Sequence, residues 1–433
     1  MEELKITRTV PVMGRYDVVV CGGGPAGIMS AVAAARNGAS VAVIERYGFL
    51  GGMATAAYVD PISVFRYNDE LVVGGIPWEF VQRLVDKGGA QVEYPLGNVS
   101  INAETYKLEA QRFLLEEGVA LYFHAFISGC VKDESNRITH IVYETKNGPA
   151  SLEAGVVIDC SGDGDVCNYA SVPMQASEGT LQPASMCFLI GGVDTSDFPL
   201  IHHSRQGLNY HLDYMQPRLR ELVSEGKISN FGGPWMCSVL RDGQVMVNAT
   251  RIYADMTDEQ EMTHAECVLR EDVHSFVRLI RENFEQFKNA YLISTPTQTG
   301  VRETRHILGA HVLTGEEYLE GVRFEDSVAR GCHPIDIHAS RSSEQRCSFL
   351  KQAAYIPYKS MYVPSFPNLL VPSRCFSADK IASASVRVMA SIMGMGQAAG
   401  AAAAMAYKNG VSVSDIDIQQ LQTWLRNAGA VLD

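Results

Sequence analysis

Residues 16–45 read YDVVVCGGGPAGIMSAVAAARNGASVAVIE, and the fold of the whole chain follows from them. Tyr16 to Cys21 is a short β-branched apolar run, the pattern of a strand buried on both faces of a parallel sheet. Gly22-Gly23-Gly24-Pro25-Ala26-Gly27 comes next and fits G-x-G-x-x-G. The alanine-rich stretch from Ile28 to Arg36 predicts a helix that stops at Asn37-Gly38. VAVIE then predicts a second buried strand ending at Glu45. Strand, glycine turn, helix and strand together make a βαβ unit. In such a unit the first glycine makes the tight turn and the second lets a pyrophosphate approach the backbone. The third lets helix and strand touch. The free N–H groups and positive dipole end of the helix then face the phosphates. Glu45 stands where a carboxylate accepts hydrogen bonds from ribose hydroxyls, as a bound dinucleotide requires.

The chain around this unit has 433 residues, enough for two interleaved domains, with 46% hydrophobic and 20% charged residues. A formal charge of −13 argues against nucleic acid or an anionic membrane as partner, because both need a basic face. No apolar run reaches the ~18 residues of a membrane span. MEELKITRTVPVMGRYD lacks the apolar centre of a signal peptide. The ten cysteines include no CxxC pair, so reduced thiols and a cytoplasmic location are expected. An oligomer is compatible with this sequence.

Further along, residues 119–145 read as a β-meander with a polar turn at Asp133–Asn136, and GVVIDCSG as another buried strand. One long helix is expected from a capping box at Thr257 and Gln260. Its stripe of Met262, Ala265, Leu269, Phe276, Ile280, Phe284 and Phe287 reads as core packing. NLLVPSR reads as a strand. Ala382 to Lys408 reads as helix with a break at GMGQAAG. His202-His203 and His211 read as surface residues.

A second double glycine follows the ribose acid: Glu45-Arg46 runs on to Gly51-Gly52-Met53-Ala54-Thr55. This pattern resembles FAD proteins of the glutathione reductase and fumarate reductase superfamily. Within it the chain is similar to a bacterial group of FAD-dependent oxidoreductases. The matching pieces include VVIDCSGDGDV, GVRETRHILGAHVLT, HPIDIH and the NLLVPSRC…GMGQAAGAAAAMA tail. The resemblance implies non-covalent FAD, with the Gly51-Gly52 loop along the pyrophosphate and ribityl chain. It places Ser161, Gly162 and Asp163 near the adenosine and pyrophosphate, and Phe126 at the adenine edge. It also implies that Arg374 ends a strand. Gly394, Gly396, Gln397 and Ala398 would open the last helix, whose N-terminus would face the flavin N1–O2 edge. The fold implied is a doubly wound α/β FAD domain with a β-meander, built from 1–61, 111–171 and 371–433. A small cap (62–110) and an α+β substrate domain (172–370) are inserted in it.

Two polar clusters in the substrate region are candidates for catalysis. Arg302 and Arg305, in TGVRETRHILG, could grip a substrate carboxylate bidentately. His333, Asp336 and His338 lie in CHPIDIH, and the i, i+2 spacing puts Asp336 and His338 on one strand face, suited to acid/base work beside the flavin. No third ligand is spaced for a metal site. A disulfide reductase would need a redox cysteine pair, and a flavin halogenase W-x-W-x-I-P; the tryptophans 78, 235 and 424 are isolated. The reading left standing is hydride transfer between flavin N5 and a CH–OH, CH–NH or CH–CH group of a polar small molecule, with an electron donor or acceptor unspecified. The alternatives are a flavin-dependent monooxygenase, or an electron-transfer subunit working with a separate protein.

Overall fold

The computed structural model describes Leu4 and residues 7–176, 181–196, 214–228, 230–339 and 344–433. His202, His203 and His211 lie outside the described residues. Val12–Cys21 is the central strand of the main sheet, flanked in parallel by Val41–Ile44 and Gly148–Asp159. Ala120–Tyr122 extends the sheet beyond Val41–Ile44, and Leu369–Leu370 pairs with Gly148–Asp159. Val20 sits in register with Val43 and Ile158, and all three are fully buried. Each such side chain contributes about 1.5–3 kcal/mol. The glycine turn after Val12–Cys21 leads into the helix Pro25–Arg36, capped at Asn37.

The meander begins later than expected. Ala120–Tyr122 pairs with Val41–Ile44, so the antiparallel ribbon comprises Phe126–Lys132, Ile138–Thr145 and the first half of Gly148–Asp159. The chain is held between these two tasks by Glu45, whose N–H donates to Tyr122 O and whose carbonyl accepts Ala125 N–H. His124, at φ 52°, turns the backbone there.

The tail also departs from its expected form. It contains two helices, Lys380–Val386 and Met389–Asn409, bent by 92° at Arg387-Val388. Gly394, Gly396, Gln397 and Ala398 therefore lie inside the second helix and do not open it. The glycines there serve contact with the Pro25–Arg36 helix. A Cβ on Gly396 would stand 2.4 Å from Ala26 O, and one on Gly400 2.1 Å from Ser30 O. Gln397 is buried and accepts the Ile76 N–H at 3.0 Å, closing the start of the helix Ile76–Asp86. Among the described residues no single helix is long and apolar enough to cross a membrane.

Residues 62–116 contribute two short hairpins and the helices Ile76–Asp86 and Ala103–Glu116. The region after 184 builds a four-stranded antiparallel sheet in the order Trp235–Ser238, Val245–Asn248, Phe188–Gly191, Tyr291–Ser294. The long helix Glu259–Asn283 packs on it through Leu269, Phe276 and Ile280. Its N-cap is Asp258, which accepts from Gln260 and Glu261 N–H, and not Thr257, whose hydroxyl turns back to Asp255. Phe284 and Phe287 fall past its end but stay buried. A hairpin of Ile335–His338 and Gln345–Ser348 completes the region that faces the main sheet's glycine turn.

Candidate functional site

The glycine turn is shaped for close backbone approach. Gly22 has φ 110°, and a Cβ there would meet Cys160 O at 2.4 Å. Gly27 lies so near the preceding strand that a Cβ would fall 1.9 Å from Gly22 O. Gly24 caps the following helix without any side-chain hydrogen bond, so the first N–H groups point outward. Glu45 reaches across from the neighbouring strand. Its Oε2 accepts Gly23 N–H at 2.7 Å and its Oε1 accepts Tyr47 N–H at 2.9 Å. Burial raises its pKa, against the pull of those two N–H groups. Each oxygen keeps a further lone pair for a ribose hydroxyl. Arg46 stacks over Tyr47 and, with the Tyr47 hydroxyl, bonds Gln298.

The second double glycine folds onto the first. Gly51 N–H donates to Gly23 O at 2.8 Å, and Gly52 at φ 50° passes beside Gly24. Gly52 and Met53 line the cavity that opens here, whereas Ala54 and Thr55 are buried behind them. Ser161 and Gly162 form the opposite lip, fixed by Asp159, which accepts both the Ser161 N–H and its hydroxyl. Asp163 turns away to pair with Arg374, and Arg374 itself lines the cavity from a turn, not from a strand end. Asp165 is pushed up to about 6 by burial and then by Asp159 and Asp163. Phe126 is half exposed and lines the cavity beside Ala125 and Ile127.

One cavity of about 780 Å³ runs from Gly22, Gly24, Pro25, Ala26, Glu45 and Phe126 to Arg302, His333, Asp336 and His338. At that far end Asp336 and His338 share a strand face, as their spacing predicted, with His338 Nε2 2.8 Å from Asp336 Oδ2. Arg251 Nη2 lies 2.7 Å from His338 Nδ1. A guanidinium only donates, so Nδ1 accepts and Nε2 carries the proton given to Asp336. Burial, then Arg302, drives His338 down to about 3 and keeps the ring neutral. For Asp336, burial favours the proton but is outweighed by His338 and Arg387, and it stays a carboxylate far below its usual range. Both ring nitrogens of His338 are thus committed. His333 also lines the cavity, and its Nδ1 donates to Pro334 O at 2.6 Å.

The two arginines of TGVRETRHILG part company. Arg302 donates from Nη1 to Pro183 O and Ser185 Oγ, both at 2.7 Å, and lines the cavity. Arg305 bonds Asp163 O at 3.0 Å and lies 3.8 Å from Asp165, outside the cavity lining, so it braces the turn after Asp159 and does not grip a ligand beside Arg302. Three side chains at the site went unnoticed in sequence. Arg251 comes from a segment with no motif, and Arg387 lies in the stretch SVRVMAS that shares the family resemblance but was given no role. Asp60 lines the cavity with Oδ1 on Ile101 N–H at 3.2 Å and Oδ2 without a partner among the described residues. Burial pushes the Asp60 carboxyl well up, towards its neutral form. A lone carboxylate amid an apolar run, YVDPISV, was the available signal.

A glycine cradle without room for side chains, an outward-facing helix start, a buried ribose-side acid and a long cavity fit a bound FAD. The FAD dependent oxidoreductase family matches residues 17–425. The chain belongs to that family. A 45-residue stretch is 49% identical to a dihydrolipoyl dehydrogenase of Trypanosoma brucei brucei, covering 10% of this chain and 9% of that relative's length. Over 96% of the chain the fold is similar to a geranylgeranyl bacteriochlorophyll reductase-like protein of Thermoplasma acidophilum. There the TM-score is 0.50, with 12% identity and 84% of that structure covered. As an FAD-dependent oxidoreductase, the protein would hold its cofactor through Gly22, Gly24, Glu45, Gly52, Ser161, Gly162 and Arg374.

Proposed function

We propose that this FAD-dependent oxidoreductase exchanges a hydride with a polar small molecule at a CH–OH, CH–NH or CH–CH group. The observation that carries this reading is the continuity of one cavity between the glycine cradle and the cluster of Arg302, His333, Asp336 and His338. Bound in the cradle, FAD supplies two-electron hydride chemistry at its ring. The chain does the rest. Glu45 and the backbone around Gly22 anchor the adenosine half, and Ser161, Gly162 and Arg374 the middle. Arg302 orients the substrate. His333, which lines the far end of the cavity, takes or returns the substrate's O–H or N–H proton. Asp336 acts as a fixed negative charge that keeps the cluster in place, since a carboxylate so stabilised is too weak a base for the task. His338 positions Asp336. An interior cluster of this kind has no use in simple electron relay to a protein partner.

The test is anaerobic mixing of the holoprotein with a panel of hydroxy acids, amines and sugars while the flavin absorbance is followed. Bleaching by at least one compound is expected, slowed about 100-fold or more in His333→Ala with FAD retained. Bleaching by NADPH alone, with oxygen then consumed against an aromatic acceptor, would replace this reading with the monooxygenase.

A further inference from the structure

Three guanidinium groups converge where the cavity ends. Arg302 and Arg387 line it, and Arg251 stands behind His338. Their partners are mostly neutral. Arg302 spends only Nη1, on a carbonyl and a hydroxyl. Arg251 gives Nη2 to an imidazole and reaches Glu344 O at 3.4 Å. Arg387 Nη2 is 3.3 Å from Asp336 O and 3.4 Å from Gln182 Oε1, with the Asp336 carboxylate 4.0 Å away. Nε of Arg251 and Nε of Arg387 are buried without any hydrogen-bond partner among the described residues. Buried donors of charged groups are costly when unpaired.

Among the described residues, the carboxylates that act on these guanidiniums are Asp336 and Glu303. Glu303 is tied up behind the arginines by Gln182 N–H at 2.8 Å. Among the described residues, three cations against two anions leave one positive charge uncompensated, since the neighbouring Arg374 is already paired with Asp163. Burial, then repulsion from Arg251 and Arg387, pulls Arg302 down to about 9, still charged at neutral pH. A low-dielectric corner with one excess positive charge and fork-shaped donors facing a cavity is complete only with a monoanion of matching planar shape.

We propose that this corner is an anion subsite for the carboxylate of a small organic acid, held by Arg302 and Arg387 with Arg251 as the charge behind. It rests on the reading of this end of the cavity as the substrate end, and it narrows the substrate to a carboxylic acid whose reacting carbon lies towards His333. A single excess charge favours a carboxylate over a dianionic phosphate.

The experiment titrates the FAD-loaded protein with acetate, lactate and succinate, each against its amide, and with inorganic phosphate. Binding is read both by calorimetry and by perturbation of the flavin spectrum. At least one carboxylate should bind ten times or more tighter than its amide and tighter than phosphate. Arg302→Gln or Arg387→Gln should weaken it about ten- to a hundredfold, with FAD content unchanged. Should either variant not fold, the acid-to-amide ratio of the unmodified protein decides. Equal binding of acid and amide, preference for phosphate, or loss of FAD in place of loss of the anion would overturn the subsite. Calorimetric binding of the acid with no spectral change would keep the subsite and remove the redox reading of this end. Bleaching of the flavin by uncharged compounds, with no preference for acids, would keep the redox reading and remove the subsite.

Discussion

Glu45 serves two functions at one position. Its carboxylate fixes the glycine turn through Gly23 N–H and the next loop through Tyr47 N–H, and it lines the cavity where a ribose would sit. Glu45→Gln keeps the shape but sets an amide against N–H donors and removes the charge. A hydrogen bond to a charged group is worth about 1.5–3 kcal/mol. FAD should therefore bind roughly ten- to a hundredfold more weakly when the apoprotein is titrated, and unchanged affinity would remove Glu45 from the site. His338 makes a separate prediction through pH. Its folded pKa of about 3 lies below the unfolded value of about 6.5. Between those limits the unfolded chain gains a proton that the folded chain refuses, so stability is lost as pH falls through that window. Asp336, held below its ordinary range, contributes stability above the usual carboxylate pKa and loses it as pH falls further. Both act in one direction. The melting temperature should drop from pH 6.5 to pH 4, and His338→Gln, which cannot titrate, should flatten that drop; an identical slope in the variant would contradict the assignment.

At the scale of elements, the contact of Pro25–Arg36 with Met389–Asn409 sets where the glycine turn stands. Gly400→Ala would drive a methyl group to 2.1 Å from the Ser30 carbonyl, a backbone atom with no rotamer to yield. Such overpacking costs about 1–3 kcal/mol, readable as a lower unfolding midpoint, and it should weaken FAD binding by tilting the helix start. Gln397→Leu should cost about as much by leaving Ile76 N–H unpaired in the interior. These roles mark what was legible. The βαβ unit could be read because its strand, turn, helix and acid are contiguous and each follows a local rule. The glycines of GMGQAAG were misread as a helix opening. Glycine breaks helices in isolation, but Gly396 and Gly400, four apart, lie on one face and admit a second backbone. The edge strand Ala120–Tyr122 was misassigned for a related reason, since pairing partners distant in sequence leave no periodic trace.

Across the whole molecule, the sequence placed Gly22, Gly24, Glu45, Gly52, Ser161 and Gly162 at the cavity but not the tail glycines, and the far end was only partly legible. Asp336 and His338 meet because two residues along a strand share a face. Arg251 reaches His338 over 87 residues of chain, and no spacing rule signals that contact. Arg305 was paired with Arg302 by proximity in sequence, yet the loop sends the two in different directions. The arrangement also predicts how FAD is kept. Hydrogen bonds and backbone contacts would hold it, so acid or heat should release free flavin into the supernatant, and colour remaining in the precipitate would mean a covalent link. One cavity joins the cofactor cradle to the charged cluster. An experimental structure of the FAD complex tests it most directly. The adenosine should lie beside Glu45 and Phe126 and the flavin ring within hydrogen-bonding or one-water reach of Arg302, His333 or Asp336. A ring more than ~10 Å from all three would contradict it, because no proton or carboxylate contact acts across that gap.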